Sequence, residues 1–268
     1  MEKYVNYNAL LDTLFEQWKE SYDETEKVKF CEDGLMLKAD KSVNVDKNWE
    51  DSQRRIMFLL KDNPHGGNDT RLWLIDKENG EKNRNLKKQF IRRIAKLFYG
   101  LRENKSDVRI NAEKVNSNIK YVKEAWNTIP FAFIETKKIA GKKDCDSAVL
   151  KNYLERDKMF LEKEIDILKP NIIVCCDGEN TLFDFITREY FGQPDWPYDS
   201  KYPFWDDQKQ EEYFKPEVTM RCRLNYYKQK NVVVIDSYHP SARVQDWAFQ
   251  ERVYCPFSAF LKQCDHNF

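Results

Sequence analysis

The stretch ILKPNIIVCCDGENTLFDFI, residues 167–186, decides the fold. Pro170 closes the helical pattern that runs over 149–168, because proline has no backbone N–H and cannot continue a helix. NIIVCC at 171–176 follows as an apolar run too short for a helix, so it predicts a buried strand. Asp177-Gly178 ends that run, and an aspartate just ahead of an apolar segment signals the N-cap of a further helix. Helix, buried strand, turn and helix in this order form the repeating unit of a parallel sheet covered on both faces.

The same unit recurs on either side. RIMFLL at 55–60 predicts a strand ended by KDNPHGG, IPFAFI at 129–134 one ended by ETKKIAGKK, and VVVID at 232–236 one ended by SYHPSAR. Residues 4–21 place Tyr4, Leu10, Leu11, Leu14, Phe15 and Trp18 at helical spacing. Residues 84–99 carry Leu86, Phe90, Ile91, Ile94, Leu97 and Phe98 on one face, with Lys87, Lys88, Arg92, Arg93 and Lys96 expected to face solvent. A last helix is expected over 245–263. Residues 192–220, rich in Pro, Trp, Tyr and acidic side chains without period, look like an insertion loop. The prediction is a three-layer α/β/α sandwich on a central, mainly parallel four-stranded sheet. It forms one domain over 1–268, with a helical N-terminal extension at 1–50.

Composition narrows the function. Lys plus Arg balances Asp plus Glu at 45 each over 268 residues, so nucleic-acid contact must come from a local patch. Seven cysteines form no C-x-x-C pair, which leaves no recognisable zinc or iron–sulfur ligand set. Their odd number, without a signal peptide's apolar segment, predicts reduced thiols in the cytoplasm. No apolar run approaches the ~20 residues needed to cross a bilayer, so no membrane partner is expected. A phosphoesterase or nucleotide hydrolase would need clustered metal ligands or a G-x-S-x-G elbow, and neither occurs. A structural interaction protein remains an alternative through the aromatic 192–220 segment.

Ligands of such sheets bind beyond the carboxyl ends of the strands. Only three histidines exist, His65, His239 and His266. His239 follows a predicted strand and precedes Pro240, which fixes the turn and aims the imidazole. Ser241 and Arg243 beside it are of types that bind phosphate. A histidine so placed can donate a hydrogen bond to a leaving group that develops negative charge. In Asn63-Pro64-His65-Gly66-Gly67 the glycines would let the backbone approach a phosphate or sugar, and the Asn63 amide could hold a water.

Taken in order, these motifs resemble the uracil-DNA glycosylase superfamily. The Asn63-Pro64 and His239-Pro240-Ser241 turns look like its two active-site motifs, and the Asn-Pro pair is similar to the mismatch-specific branch. FAFIETKKIAGKK resembles the strand that ends in the base-reading residue, and ILKPNIIVCCDGENTLFDFI a recurrent strand-to-helix segment. The resemblance implies a DNA glycosylase acting on a flipped-out base, with DNA as partner, no obligatory protein partner and no cofactor. It implies that His239 stabilises the departing anionic base and Asn63 orients water, with Asp62 as the alternative. Base reading falls on Glu135, where the family usually has asparagine; Asn127 is a second candidate.

A carboxylate only accepts hydrogen bonds, so Glu135 predicts an exocyclic amine and therefore a cytosine-like or modified cytosine base rather than plain uracil. The competing reading pairs Glu135 with Lys137 and Lys138. Trp73 is the candidate stacking platform. Ser241, Arg243, Lys137, Lys138, Lys142 and Lys143 are the candidate phosphate contacts, and the basic helix at 84–99 would add non-specific affinity. Glutamate in place of asparagine also leaves open a catalytically inactive, glycosylase-like protein that binds DNA or a nucleotide.

Overall fold

A computed structural model describes residues 4–62, 66–140, 145–201 and 220–263 of the chain. Its strands are β1 (Gly34–Leu35), β2 (Ile56–Asp62), β3 (Ala132–Lys137), β4 (Ile172–Cys176), β5 (Trp196–Ser200), β6 (Cys222–Tyr227) and β7 (Val232–Ser237). They form one sheet in the order β1-β3-β2-β4-β7-β6-β5. The four middle strands β3, β2, β4 and β7 run parallel. These are the four apolar runs of the sequence. The expected count of four is corrected to seven by β1, β6 and β5, which add antiparallel at the two edges.

The edge strands have physical reasons for being illegible. Strand β1 has only two residues, too few for any period. In β6, CRLNYY mixes polar with apolar residues and is partly exposed. Strand β5 carries Pro197, which lacks a ladder N–H and is tolerated only at a sheet edge. It lies inside the stretch expected to be an irregular insertion, so that expectation is corrected for 196–200. Residues 202–219 lie outside the described ones.

Alternation along the parallel strands separates two cores. Phe58, Phe133, Val174 and Ile235 face a layer made by the helices Gln89–Glu103, Ile119–Thr128 and Asp246–Gln263. Met57, Leu59, Ile134, Ile173 and Val234 face the helices Tyr7–Lys19 and Ser147–Leu168. The three-layer α/β/α arrangement is therefore present. The N-terminal segment belongs to it. Leu11, Phe15 and Trp18 share a core with Leu150 and Leu154, β1 pairs with β3, and the Trp49 indole donates to the Leu168 carbonyl at 2.8 Å.

Two departures from the sequence pattern shape the functional edge. Strand β3 does not stop at Ile134 but continues through Glu135, Thr136 and Lys137, all buried. The Thr136 hydroxyl donates to the Leu60 carbonyl at 2.8 Å, which satisfies a polar side chain inside the strand end. The basic amphipathic helix begins only at Gln89, after Leu86 adopts a left-handed φ of 57°. Its Arg93 and Lys96 are buried rather than solvent-facing.

Candidate functional site at the carboxyl edge of the parallel strands

Register aligns Leu60 with both Glu135 and Cys176, and Cys176 with Ser237. The carboxyl ends of β3, β2, β4 and β7 therefore lie along one edge of the sheet. Parallel strands are spaced about 4.8 Å apart, so β3 and β7 stand about 14 Å apart across this edge. Asn63, Pro64 and His65 lie outside the described residues, as do Lys142 and Lys143. Asp62, the last residue of β2, accepts from the Lys137 ammonium at 3.2 Å.

At the β7 end, the Ser241 N–H donates to His239 Nδ1 at 3.2 Å. A ring nitrogen that accepts carries no proton, so Nε2 is the protonated nitrogen of a neutral imidazole. Burial, reinforced by the Lys61 charge, pushes His239 down to about 4. The ring therefore stays neutral at physiological pH and presents an N–H.

What aims this ring is Arg93, buried in the Gln89–Glu103 helix. Its guanidinium donates to the carbonyls of Pro240 (3.1 Å), Ala242 (2.7 Å) and Val244 (2.6 Å), and to Asp246 at 2.8 Å. A planar five-donor fork suits such a multiple grip. On the other side, Gly178 donates its N–H to the Ser237 carbonyl at 3.1 Å. Its φ is +78°, a left-handed conformation that favours glycine, although an added Cβ would meet the His239 backbone nitrogen only at an ordinary contact distance of 3.4 Å.

Aromatic rings connect β3 to the histidine. Trp73 lies 5.0 Å from Phe133 and 6.2 Å from Phe90, Phe90 lies 6.1 Å from Phe133, and the Phe90 and His239 rings are 5.9 Å apart. Trp73 is partly exposed, so part of its surface is available. Glu135 follows Phe133 by two residues and shares its face of β3. Glu135 is 2% exposed, and its Oε2 has no hydrogen-bond partner among the described residues.

The lysines beside it do not fill that role. The Lys137 ammonium is held by Asp62 and the Ile139 carbonyl (2.6 Å), and Lys138 by Asp33 (2.6 Å) and Glu164 (3.0 Å). The expected pairing of Glu135 with Lys137 and Lys138 is thus replaced by other partners. Both lysines are also buried, which corrects their assignment as phosphate contacts: neither ammonium faces solvent.

Asn127 is not brought to this edge. It precedes β3, at the amino end of the parallel strands, where its amide donates to the carbonyls of Lys123 (2.7 Å) and Arg84 (3.2 Å). Gly66 and Gly67 serve packing. A Cβ on Gly66 would meet Ala140 at 2.2 Å, and one on Gly67, at φ +69°, would meet the Val28 carbonyl at 2.7 Å. Ser241 and Arg243 are exposed at the edge, as a phosphate contact requires.

Sequence reasoning missed several groups here. Lys61, the residue before the last of β2, pairs with Glu179 of the β4 turn at 3.5 Å. Asp177 accepts from the Leu182 N–H at 3.1 Å, while its Oδ1 has no partner among the described residues. Burial pushes Asp177 up to about 6. The polar cluster DGEN directly after a buried strand was the available signal for both acids. Arg93 gave none, because an arginine among helical lysines looks solvated. Among the described residues no group of three or more His, Cys, Asp or Glu side chains is placed to hold a metal ion. None of the described helices is long and apolar enough to cross a membrane. No family model, no curated protein and no solved structure matches the chain.

Proposed function

We propose that this edge is the active site of a DNA N-glycosylase that takes a flipped-out pyrimidine, uracil-like or cytosine-derived, and hydrolyses its N-glycosidic bond. One observation carries the reading. A neutral, tautomer-fixed imidazole N–H, a partly exposed aromatic wall and a buried carboxyl with an unpartnered oxygen lie along the carboxyl edge of the parallel strands, the rings running from Phe133 of β3 to His239. A base inside duplex DNA is unreachable, so it has to be extruded and stacked in a pocket. Trp73 supplies the stacking surface in this reading, with Phe90 and Phe133 behind it.

Bond cleavage leaves positive charge on the sugar and negative charge on the base. The His239 Nε2–H points a preorganised dipole at the departing base anion, which is where such a donor lowers the barrier. Asn63, next in sequence after the last residue of β2, is assigned the orienting of water on the opposite side of the sugar. Asp62 is the alternative, although its pairing with Lys137 already occupies part of its acceptor capacity. Neither group has to be a strong base, since positioning and electrostatics supply the rate. Ser241 and Arg243 contact the backbone phosphates, and Lys142 and Lys143 are assigned the same role from the sequence alone.

The test is incubation with single- and double-stranded DNA carrying uracil, cytosine or substituted cytosines, followed by alkali to cut abasic sites. Strand breaks at one of these bases are the expected result. Tight binding without breaks on any substrate would replace the enzyme by the DNA- or nucleotide-binding alternative. Arg243→Ala is expected to weaken binding alike on all sequences and to reduce the slope of log affinity against log salt by about 1. An unchanged slope would remove Arg243 from the phosphate contacts.

A further inference from the structure

We propose that Glu135 reads the base as an uncharged carboxylic acid, offering one donor and one acceptor, so that the same site accepts the pyrimidine edges of both uracil and cytosine. The inference rests on the base-excision reading of this edge and changes what that reading selects.

Geometry comes first. Glu135 sits in the fourth position of β3 with its carboxyl buried, on the face it shares with Phe133. Its own N–H is committed to Asp33 at 2.7 Å. Its Oε2 has no partner among the described residues, which is an expensive state for a buried polar atom unless a ligand completes it. Among the described residues, charged or titratable groups from four strands or their flanks act on it. Asp33 and Cys31 come from the segment leading into β1, Asp62 from β2, Cys176 from β4, and Lys137 and Lys138 from β3 itself. Burial keeps both thiols protonated. The two cations are bonded to other acids. An ionised Glu135 would therefore add a charge to a dry site beside two further carboxyl groups, with no hydrogen bond from either lysine. Burial, and then Asp33 and Asp62, push it up to about 8 against the opposing pull of Lys138 and Lys137.

The chemistry follows from the proton. A carboxylate can only accept, which is why the residue type alone suggested an amine-bearing base. A carboxylic acid has an O–H donor beside a carbonyl acceptor. Uracil presents O4 as acceptor beside N3–H as donor, and cytosine presents N3 as acceptor beside an N4 amine donor. Either edge fits, because the proton can sit on either oxygen. An asparagine amide has its nitrogen and oxygen fixed and must be oriented for one edge or the other. Ionisation leaves each base with one hydrogen bond and one repulsive contact, so binding of both weakens together.

The probes are free uracil and free cytosine, titrated into the full chain by calorimetry between pH 6 and 9, for the wild type and Glu135→Gln. Both bases are expected to bind the wild type within about tenfold of each other at pH 6.5. Affinity should then fall about tenfold by pH 9, as the protonated fraction falls. Glu135→Gln keeps a donor and an acceptor without a titrating proton, so its affinity should stay flat. A carbonyl band of protonated carboxyl, present at pH 7 in the infrared difference spectrum and lost in Glu135→Gln, reports the proton independently of any ligand.

Wild-type binding as flat as that of Glu135→Gln, or no such band, overturns the proposal and leaves base excision standing. Uracil rejected more than 100-fold relative to cytosine at pH 6.5 also overturns it. The band together with no binding of either base at any pH overturns the proposed specificity and counts against the excision reading as well.

Discussion

His239→Ala is expected to slow base release by about 10²–10³-fold while leaving DNA affinity within a few-fold of the wild type. The size follows from the loss of one preorganised donor aimed at developing negative charge, which is typically worth this much. Binding is spared because the imidazole matters only once the bond has begun to break, so the loss appears in the single-turnover rate. His239→Gln retains an N–H donor and is expected to recover part of the rate. A rate unchanged in His239→Ala would remove the residue from the chemistry and with it the main support for a glycosylase.

The same residue predicts the shape of the pH dependence. The folded chain holds His239 down at about 4, whereas an unfolded chain protonates it near its ordinary value of about 6.5. No histidine limb should therefore cross the wild-type rate profile between pH 5 and 8. For stability, the unfolded state takes up a proton that the native state refuses, so this group costs stability as pH falls from 6.5 toward 4. Equilibrium unfolding at pH 7 and pH 5 should show the wild type losing more stability than His239→Ala. Equal losses would mean that the ring is not held neutral.

How much of this was legible depended on whether one rule governed a segment. Strand runs such as IIVCC and VVVI announce themselves because burial on both faces makes them uniformly apolar, and the Pro-containing turns mark where two of them end. Glu135-Thr136-Lys137 obeyed two rules at once. Their polarity suggested a loop, yet the ladder to β2 continues through them, with Asp62 aligned to Lys137. Only three-dimensional partners, Leu60 and Lys61 carbonyls for Thr136 and Asp62 for Lys137, make such residues tolerable inside a strand.

The site shows the same division. His239 was visible because a rare residue stood beside a proline, while Arg93, which grips that turn from 147 residues away in sequence, carried no local mark. Glu135 was visible as a departure from a motif. Its environment was not, because the lysines that flank it in sequence bond to acids contributed by other elements.

Lys138→Met is expected to destabilise the fold by about 3–5 kcal/mol, a second large effect and one independent of catalysis. Lys138 is 0% exposed and stands between Asp33 and Glu164, with the rings of Phe15 and Trp18 each 5.1 Å from its ammonium. Removing the cation strands its acids in a dry site, and that penalty dominates the substitution. Burial and the proximity of Asp33 push Glu164 well up, with Lys138 holding it down, so deletion of the lysine also drives Glu164 toward its neutral form.

The triad as a whole need not be stabilising, since burying ionisable groups costs desolvation that their mutual attraction only offsets. The combined variant Asp33→Asn, Lys138→Met, Glu164→Gln should accordingly recover most of what Lys138→Met loses, as measured by denaturant midpoints at constant slope. Recovery would show that the penalty lies in the orphaned acids. If the triple variant were as unstable as the single one, the lost cation–π contacts of the ammonium with Phe15 and Trp18 would carry the effect. Asp33 also accepts the Glu135 N–H, so a triple variant that folds but shifts the pH response of Glu135 would tie this internal charge network to the reading of the base.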